Sequence, residues 1–438
     1  MSDSSILDRR IAAMACPVDH SILDPKVQDD PYDFYREAHA TCPVMPVPEV
    51  GGVLVTKYDD VRFVLTRPDL FSSSGRGGGA RKGLQVENSR RYRDIIRERG
   101  WGHVETLQRC DPPEHTAYRR LVGKAFLPKQ IRAIQPQVDD ISRELIDGLM
   151  PSDGGVGECE FNLDYAMPLP GTVIAEQLGL PRSEIHTFNR WAHAMLALAM
   201  KPVTDQELLE TAEIELEAQH HLAGVFEQRR AEPTDDLISA LVHSHVGEGD
   251  DGDDAEPLSV AELQNLMHQL ITGGFETTTS ALNHGMWLLV RRPDVQARLR
   301  ADPSLVPAFV EESLRYESPV QGLFRTATQD VEVGGVTIPE GALVMVRYAA
   351  ANRDADVFDH ADDFDLDRTG DAKHLAFGVG PHFCVGAALA RQELVTGFTH
   401  WLERTSNIEL ARPFDGPVHD PSFILFPMRE LPLRFTPA

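Results

Sequence analysis

Residues 377–386 read Phe-Gly-Val-Gly-Pro-His-Phe-Cys-Val-Gly, and residues 387–394, Ala-Ala-Leu-Ala-Arg-Gln-Glu-Leu, have the composition of a helix. Cys384 is therefore predicted to lie at the entry of a helix, after a glycine-rich loop. Backbone amides at a helix entry stabilise negative charge, which favours the thiolate over the thiol. A thiolate held in this way is either a nucleophile or a metal ligand. The glycines of the loop let the backbone approach a flat and bulky group.

The composition is that of an ordinary globular protein. The chain has 438 residues, 42% of them hydrophobic, and a formal net charge of −26. An acidic balance of this size argues against nucleic-acid binding as a main function. The sequence has no secretory signal and no apolar run of about 18 residues, so we expect a cytoplasmic protein without a membrane span.

The other cysteines give no sign of a metal site, and the acidic residues leave a Ca²⁺ site open only as a disfavoured alternative. Cys16, Cys42, Cys110 and Cys159 are widely spaced, and no Cys-x-x-Cys pair occurs. They are expected to be apolar fillers or surface thiols, since neither a disulfide framework nor a zinc site fits this spacing. The acidic run 247–256 is predicted to be a solvated loop, because it lacks the ordered ligand spacing of an EF-hand.

The first third of the chain is predicted to begin with a small sheet and then become helical. A strand is expected at 51–56 and a helix near 59–65. Residues 72–110 are basic, rich in glycine and without clear apolar periodicity, which predicts a long loop. The run Asp-Pro-Pro-Glu at 111–114 predicts a helix start with Asp111 as the cap. From there to about residue 315 the pattern is mostly helical.

A long helix is predicted from Ser259, which forms a capping-box pattern with Glu262, to about residue 292. Its middle, residues 272–279, reads Thr-Gly-Gly-Phe-Glu-Thr-Thr-Thr. Two glycines inside a helix cost about 1 kcal/mol each relative to alanine. The Thr277 hydroxyl can bond back to the carbonyl of Gly273 and open the helix. The residues alone support a polar kink in a core helix as well as a functional one.

The last part of the chain is predicted to contain one more helix and several short strands. The helix covers 304–316 and carries Glu312 and Arg315, whose spacing of three lets them pair. A surface salt bridge is the simpler interpretation of such a pair. Strands are expected at 331–333 and 342–346, and the tail at 422–426 is expected to be extended.

Four cationic residues form a further set, although they are scattered along the sequence. His115 and Arg119 are four apart on the helix after residue 111 and therefore share a face, whereas Arg325 and His382 lie far away. Taken singly, each of them is also compatible with an ordinary surface charge.

The run Phe-Gly-x-Gly-x-His-x-Cys-x-Gly resembles the haem-binding loop of the cytochromes P450, the haem-thiolate monooxygenases, and fills each of its fixed positions. The resemblance covers nearly the whole chain. It implies a mainly α cytochrome P450 fold with small β-sheets, in which the haem lies between the long kinked helix and the cysteine-loop helix. It also implies one domain over 1–438, with a small β-rich lobe at about 40–70 joined by C-terminal strands.

The resemblance assigns roles around a haem b, iron protoporphyrin IX. Cys384 would be the axial iron ligand, with Phe377 packed beneath it and Gly378 and Gly386 leaving clearance for the porphyrin. The haem propionates would be bound by His115, Arg119, Arg325 and His382. A buried structural triad would consist of Glu312, Arg315 and Arg368.

The resemblance also assigns roles above the haem. Gly273 and Gly274 would make room for dioxygen, Thr277 would steady the reacting oxygen, and Glu276 with ordered water would relay protons. A hydrophobic substrate would contact Met195, Leu196, Leu270, Val320, Leu323, Phe324 and Phe423. The basic stretch 76–99 could receive an anionic substrate group, although a solvent-facing loop is the simpler interpretation.

The expected reaction is hydroxylation of a terpenoid, steroid, fatty acid or aromatic compound by O₂. The chain has no flavin or nicotinamide fingerprint, so electrons are expected from a separate ferredoxin and its reductase, or from a flavodoxin. Candidate docking cations are Arg120, Lys124 and Lys129, and a monomer is expected. A peroxygenase driven by H₂O₂, an oxidative coupling P450 and a non-catalytic haem-binding sensor or carrier are the alternatives.

Overall fold

Helices make up most of the protein. The structure, a computed structural model, describes residues 3–14, 16–18, 20–74, 86–200, 204–234, 236–246, 256–413 and 416–438. Numbered in chain order, its α-helices are α1 (Asp3–Ala12), α2 (Pro25–Asp29), α3 (Tyr32–Thr41), α4 (Tyr58–Thr66), α5 (Val86–Arg99), α6 (Glu114–Gly123), α7 (Pro128–Ala133), α8 (Gln135–Leu149), α9 (Pro168–Gln177), α10 (Ile185–Met200), α11 (Asp205–Ala231), α12 (Leu237–Val242), α13 (Val260–Arg291), α14 (Pro293–Ala301), α15 (Val306–Tyr316), α16 (Tyr348–Ala351) and α17 (Ala387–Arg404). None of the described helices is both long enough and apolar enough to cross a bilayer.

The strands are short and form small sheets. They are β1 (Val44–Val47), β2 (Gly52–Val55), β3 (Phe71–Ser72), β4 (Gly157–Glu160), β5 (His245–Val246), β6 (Glu256–Pro257), β7 (Gly322–Ala327), β8 (Val331–Val333), β9 (Val336–Ile338), β10 (Leu343–Arg347), β11 (Thr405–Leu410) and β12 (Pro432–Pro437). The largest sheet has the order β1-β2-β10-β7-β3, with β2 and β10 parallel and the other neighbours antiparallel. A second sheet has the order β11-β12-β4, and β5-β6 and β8-β9 form two-stranded ribbons.

The long helix α13 is the centre of the fold. It begins with the predicted capping box, in which the Ser259 hydroxyl accepts from the amide of Glu262 and the Glu262 carboxylate accepts from the amide of Ser259 at 2.8 Å. Side chains on all its faces are buried, as expected for a helix surrounded by other elements. It packs against α9, α10 and α11, and also against α15 and α17. The helix continues without interruption through residues 272–279.

The apolar core consists of clusters on either side of these elements. The N-terminal half of α13 packs with α10, α11 and α12, and its C-terminal half packs with α8, α15 and α17. Two smaller clusters cover the two faces of the largest sheet. Val53 and Val55 belong to one of them and Leu54 to the other, as the alternation of side chains along a strand requires. The predicted class, mainly helical with small sheets, is confirmed.

The loop predicted for 72–110 is wrong in part, because Val86–Arg99 is a helix. Its sequence has little apolar periodicity. Among the side chains described for α5, Ile96 is the buried one, and it packs against Ala212 and Leu216 of α11. Contacts with a neighbouring helix therefore stabilise α5 more than its own pattern does. Residues 75–85, which belong to the predicted basic stretch 76–99, lie outside the described residues, as do residues 247–255 of the predicted acidic loop.

Asp111 does not cap the following helix. The helix begins at Glu114, and the Asp111 carboxylate accepts hydrogen bonds from the hydroxyl of Ser72 and, at 2.8 Å, from the amide of Ser73. Its backbone carbonyl accepts from the amide of His115 at 2.9 Å. Because two prolines separate Asp111 from the first turn, its side chain binds the end of β3 instead of the helix.

The tail at 422–426 is bent and not extended throughout. The Ser422 hydroxyl accepts from the amides of Ile424 at 3.3 Å and Leu425 at 3.1 Å, which closes a local turn. Leu425 then forms an isolated antiparallel bridge with Val320. The tail thus crosses the segment between α15 and β7.

Candidate functional site

The loop before α17 is closed by its own backbone. The amide of Cys384 donates to the carbonyl of Phe377 at 2.9 Å, and the amide of Gly378 donates to the carbonyl of Leu375 at 2.8 Å. Gly378 and Gly380 have φ angles of +66° and +79°, where other L residues are strained. A Cβ at position 380 would also lie 2.6 Å from a backbone oxygen at the end of α4. Gly380 therefore serves the packing of the loop against α4, while its backbone presents Cys384.

The Cys384 thiol lies two residues before Gly386, the N-cap residue of α17. Burial raises the pKa of the thiol, while the amide of Gly386 and the cations Arg119 and Arg391 act in the opposite direction. The sequence predicts a favoured thiolate, and the net direction is the reverse because desolvation outweighs the amides. An ionised sulfur at this position is therefore favoured when a cation binds it directly, which supports a metal ligand over a free nucleophile.

Phe377 is fixed in place by charged neighbours that the sequence did not reveal. The guanidinium of Arg391 lies over its ring, 4.4 Å from the centroid. Arg391 forms two hydrogen bonds with the carboxylate of Glu311, at 2.6 and 2.9 Å, and His374 lies 3.1 Å from the same carboxylate. Burial raises the pKa of Glu311, but the bonds from His374 and Arg391 lower it to about 2. The Phe377 ring is thus held by a partly exposed network around an ionised carboxylate, since the Glu311 side chain is 44% exposed.

Glu312, Arg315 and Arg368 meet, as the resemblance implies. Arg315, 2% exposed, donates to the two carboxylate oxygens of Glu312 at 2.8 and 2.7 Å. Arg368 donates to the same oxygens at 3.0 and 3.1 Å. One carboxylate therefore compensates two cations in the interior of the protein.

This triad is connected to the cysteine loop by hydrogen bonds. Arg315 also donates to the backbone carbonyls of Asn352 at 2.9 Å and of Ala361 at 2.7 Å. The side-chain oxygen of Asn352 accepts from the amide of Leu375 at 2.6 Å. Leu375 in turn closes the first turn of the cysteine loop, so the triad fixes the segment from which the loop starts.

The four predicted cations come together although they are far apart in sequence. The rings of His115 and His382 lie 4.0 Å apart, centroid to centroid. Burial, Arg325, His115 and Arg119 together lower the pKa of His382 to about 3. Burial also lowers the pKa of Arg325, the guanidinium of which donates to the carbonyl of Phe324 at 2.8 Å.

This cluster fits a ligand that carries anionic groups. Within the described part of the chain, no carboxylate forms an ion pair with Arg119 or Arg325. Asp111 lies near enough to affect Arg325, but its oxygens are bonded to the end of β3. The buried Nε2 of His382 has no hydrogen-bond partner. Carboxylates of a bound group would compensate the cations and satisfy this nitrogen, as haem propionates do in the proposed arrangement.

Two glycines border open space at the centre of the protein. A Cβ at Gly273 of α13 would meet no atom within 4 Å, and a Cβ at Gly386 would meet only the sulfur of Cys384, at 4.0 Å. Both positions are thus compatible with a flat group between α13 and α17. Gly274 differs, because its Cβ would lie 3.5 Å from the side chain of Ile174 in α9. The Cβ position of Gly274 therefore faces a neighbouring helix, and its contact with a cofactor stays a prediction.

Thr277 and Glu276 form the polar part of α13. The Thr277 hydroxyl donates to the carbonyl of Gly273 at 2.7 Å, as predicted. Glu276 is 6% exposed, and the hydroxyl of Ser280 donates to its carboxylate at 3.5 Å. Burial and, to a smaller extent, the charge of Asp420 raise the pKa of Glu276 to about 7, although the bond from Ser280 lowers it. A carboxyl group with this pKa can both hold and release a proton near neutral pH.

Other buried titratable side chains near α13 were not predicted from the sequence. Glu393 of α17 is 2% exposed; burial raises its pKa strongly, and a hydrogen bond with Thr278 opposes this. His284 lies eight residues after Glu276, so its helical spacing could have revealed it. Its partner His419 lies in the tail, and no sequence signal connects the two.

The predicted substrate-contacting residues are only partly brought together. Met195, Leu196 and Leu270 lie in one apolar cluster, against which Val320 packs. Leu323 packs with the cluster on one face of the largest sheet and Phe324 with the cluster on the other. The reason is strand alternation in β7, which places Leu323 on the face of Arg325 and turns Phe324 away. Phe324 is therefore not brought to the predicted pocket.

Phe423 is half-buried in the C-terminal tail, and the predicted docking cations are exposed. The carbonyl of Phe423 accepts from Arg347 at 2.6 Å, and its side chain is half-buried. Arg120, Lys124 and Lys129 are exposed on α6, α7 and the turn between them. They surround Leu127, which is 53% exposed.

Comparisons with known proteins point to one family. The family model described as Cytochrome P450 matches residues 183–409. The chain is 37% identical to mycinamicin IV hydroxylase/epoxidase of Micromonospora griseorubida over 385 residues, which cover 86% of this chain and 89% of that protein. The solved structure of cytochrome P450 CYP109Q5 from Chondromyces apiculatus superimposes with a TM-score of 0.80 at 34% identity, covering 95% of this chain and 98% of that one. The structure of CYP109E1 from Bacillus megaterium in complex with corticosterone gives 0.78 at 28% identity, covering 93% and 99%.

Proposed function

The chain belongs to the cytochrome P450 family of haem-containing monooxygenases, and we propose from this that it hydroxylates a hydrophobic small molecule at a haem b bound through Cys384. The observation that carries the proposal is the pairing of one half-buried thiol with a cation cluster in which Arg119 and Arg325 form no ion pair with a carboxylate of the described residues. His115, Arg119, Arg325 and His382 would hold the propionates, and Cys384 would bind the iron.

The haem would supply the oxidising chemistry, in which R–H, O₂, two electrons and two protons give R–OH and water. Glu276 would hold a proton close to the reacting oxygen, because its pKa of about 7 keeps a large fraction protonated at neutral pH. The Thr277 hydroxyl donates its proton to the carbonyl of Gly273, so the hydroxyl oxygen can still accept a hydrogen bond through its lone pairs. Thr277 would thereby orient the reacting oxygen, and Glu276 would deliver the protons.

The proposed substrate is a largely apolar compound, a terpenoid, steroid, fatty acid or aromatic. Met195, Leu196 and Leu270 offer an aliphatic surface, and the named relatives act on a mycinamicin or bind corticosterone. The test is a binding screen of these compound classes and of macrolides, scored by the shift of the ferric haem from low to high spin. A shift with a compound of one class would identify the substrate class. Shifts with small polar compounds alone would contradict an apolar pocket.

Replacement of Thr277 by alanine is expected to uncouple oxygen consumption from product formation. The variant should form several-fold less product per electron pair and release correspondingly more hydrogen peroxide, because the hydroxyl that orients the oxygen is lost. Product, NAD(P)H and peroxide are measured together in the reconstituted system.

Thr279→Ala is the matched control for this variant. The Thr279 hydroxyl makes the same kind of bond within α13, to the carbonyl of Phe275 at 3.1 Å, but is fully buried. Its loss should leave the coupling unchanged. An unchanged product yield in Thr277→Ala would contradict the role given to Thr277. Full turnover with hydrogen peroxide in the absence of electron donors would favour a peroxygenase instead.

The proposed electron donor is a separate ferredoxin or flavodoxin that docks on the exposed cations beside the cysteine loop. Arg120, Lys124 and Lys129 are exposed, as is Phe383, the residue before Cys384. Arg120 follows Arg119, which acts on Cys384, and Lys129 lies on α7, which contacts α17. Cations on so acidic a chain attract an acidic partner and increase its rate of association. The double charge reversal of Lys124 and Lys129 to glutamate should raise the KM for the donor roughly tenfold at low ionic strength.

Lys26→Glu, on α2, is the control for this docking surface. Lys26 is also exposed, so that its reversal changes the net charge without changing the proposed surface. The effect on KM should diminish as salt is added, since screening weakens it. Equal effects of the control and the double variant would contradict docking at this surface.

A further inference from the structure

A row of polar side chains continues from Glu276 along α13. Ser280 and His284 follow at four-residue steps, which places all three on one face of the helix. The Ser280 hydroxyl contacts the Glu276 carboxylate at 3.5 Å. Ser280 is fully buried and His284 is 2% exposed. This row leads away from Thr277 and the proposed haem towards the C-terminal tail.

His284 meets a second buried histidine at the end of this row. Its Nε2 lies 3.1 Å from the Nε2 of His419, which is 5% exposed. The ring of Phe426 stacks on both imidazoles, with centroid distances of 3.7 Å to His419 and 4.9 Å to His284. The two rings are thereby held in direct nitrogen-to-nitrogen contact.

His419 connects the pair to the surface at α2. Its Nδ1 lies 2.9 Å from the carbonyl of Asp29 and 3.4 Å from the Asp29 carboxylate, which is 44% exposed. The backbone amide of His419 donates to the same carboxylate at 2.7 Å. The residue after His419, Asp420, is one of the charges that act on Glu276, so this part of the tail also lies near the carboxyl group.

The histidine pair offers three positions for a proton, and two neutral imidazoles carry only two. The Nδ1 of His419 faces a carbonyl of Asp29, and the carbonyl of Ser280 favours a proton on His284. Both carbonyls can only accept, and the facing Nε2 atoms share the third position between them. Burial keeps the pKa of both rings low, so the pair is neutral and one of these three positions carries no proton. In the described structure the Nδ1 of His284 has no hydrogen-bond partner, which is the arrangement expected after this nitrogen has released its proton.

We propose that His419 and His284 relay protons from the surface carboxylate of Asp29, through the Ser280 hydroxyl, to Glu276. The relay starts from the tautomers in which Nε2 of His419 and Nδ1 of His284 carry the protons. A proton that then binds to Nδ1 of His419 is balanced by transfer of the Nε2 proton of His419 to Nε2 of His284. His284 then releases its Nδ1 proton to Ser280, which passes its own hydroxyl proton to Glu276. Each imidazole accepts one proton and releases one, so only the positions of the protons change.

The relay rests on the proposed function, because its role would be to return a proton to the Glu276 carboxylate each time Glu276 has delivered one to oxygen. Its test, however, needs no turnover. In the haem-loaded ferric enzyme, the carboxylic-acid C=O stretch of Glu276 is identified as the infrared band that is absent from Glu276→Gln. After rapid transfer into D₂O at a pH just below 7, the rate at which this band shifts reports exchange of the Glu276 proton.

The expected result is a slower shift in each variant that interrupts the relay. His284→Gln and His419→Gln keep polar side chains but cannot accept and release a proton, and should slow the exchange by roughly tenfold or more. Asp29→Asn, at the surface, should also slow it and leaves the histidine pair in place. His400→Gln is the control: His400 is buried and bonded to Ser142, and its replacement should leave the rate unchanged.

Exchange at the parental rate in the histidine variants and in Asp29→Asn would overturn the relay. Should either histidine variant fold poorly, Asp29→Asn decides the question. Failure of the relay and failure of the proposed function are separable: an unchanged exchange rate with thiolate-bound haem leaves the monooxygenase proposal in place. Slower exchange without a thiolate-ligated iron would instead support the relay and contradict the haem-thiolate assignment.

Discussion

Replacement of Cys384 by alanine is expected to abolish monooxygenase activity and the red-shifted Soret band of the reduced CO complex that marks thiolate ligation. The loss of activity should be at least about 10³-fold, equivalent to about 4 kcal/mol of activation free energy. The reason is that no other side chain of the cysteine loop can supply a thiolate to the iron, and electron donation by the sulfur favours cleavage of the O–O bond. Haem content, the CO difference spectrum and product formation are measured on the same preparation.

Cys159→Ala is the matched control, because Cys159 is a half-buried thiol in β4. It should keep both the spectrum and the activity. Haem can remain bound to Cys384→Ala through its propionates, in which case the CO complex should absorb at the shorter wavelength of a haem without thiolate. Survival of the red-shifted band in Cys384→Ala would refute the assignment of the iron ligand.

Replacement of Glu312 by alanine is expected to destabilise the protein by about 3–5 kcal/mol, the usual cost of removing one partner from a buried ion pair. Without this carboxylate, Arg315 and Arg368 would be left as uncompensated charges, and Arg315 is 2% exposed. Arg315 also holds the backbone at Asn352, to which the start of the cysteine loop is bonded. The variant should therefore lose haem at lower denaturant concentration than the parent. The free energy of unfolding and haem release are followed together in urea.

Arg298→Ala provides the comparison with a surface pair. Arg298 also makes two hydrogen bonds to a carboxylate, that of Asp367, at 2.9 and 2.6 Å, but both side chains are largely exposed. Its loss should cost less than about 1 kcal/mol. If Glu312→Ala and Arg298→Ala lowered the free energy of unfolding equally, the buried triad would contribute no more to stability than a surface pair.

Motifs in which the interacting residues are close in sequence were predicted well. The capping box at Ser259 and the back-bond of Thr277 each depend on atoms within four residues, and both are present as predicted. The pair of Glu312 and Arg315 lies on one helix face and is likewise formed. The errors have a common cause. Asp111 binds the end of β3, and α5 is stabilised by packing on α11, because contacts from elsewhere in the chain outweigh the local pattern.

The pKa values are also set by contacts from elsewhere in the chain and could not be predicted from local sequence. Local amides predict a thiolate at Cys384, yet burial raises the pKa of the thiol, since desolvation depends on all of the surrounding chain. For the same reason the pKa of about 7 for Glu276 could not be predicted from its neighbours in sequence. Strand alternation in β7 likewise separates Leu323 from Phe324, although the two are adjacent in the chain.

The sequence by itself determined the cysteine loop, the long helix with Glu276 and Thr277, and the family to which they belong, because each is encoded in a short run with fixed spacing. Only the tertiary structure brought His115 and Arg325 together with His382, and His284 together with His419 and Asp29. Such sets consist of residues up to hundreds of positions apart, and their distances depend on the packing of helices and sheet. The charge and protonation state of these residues can therefore be inferred only from the folded structure.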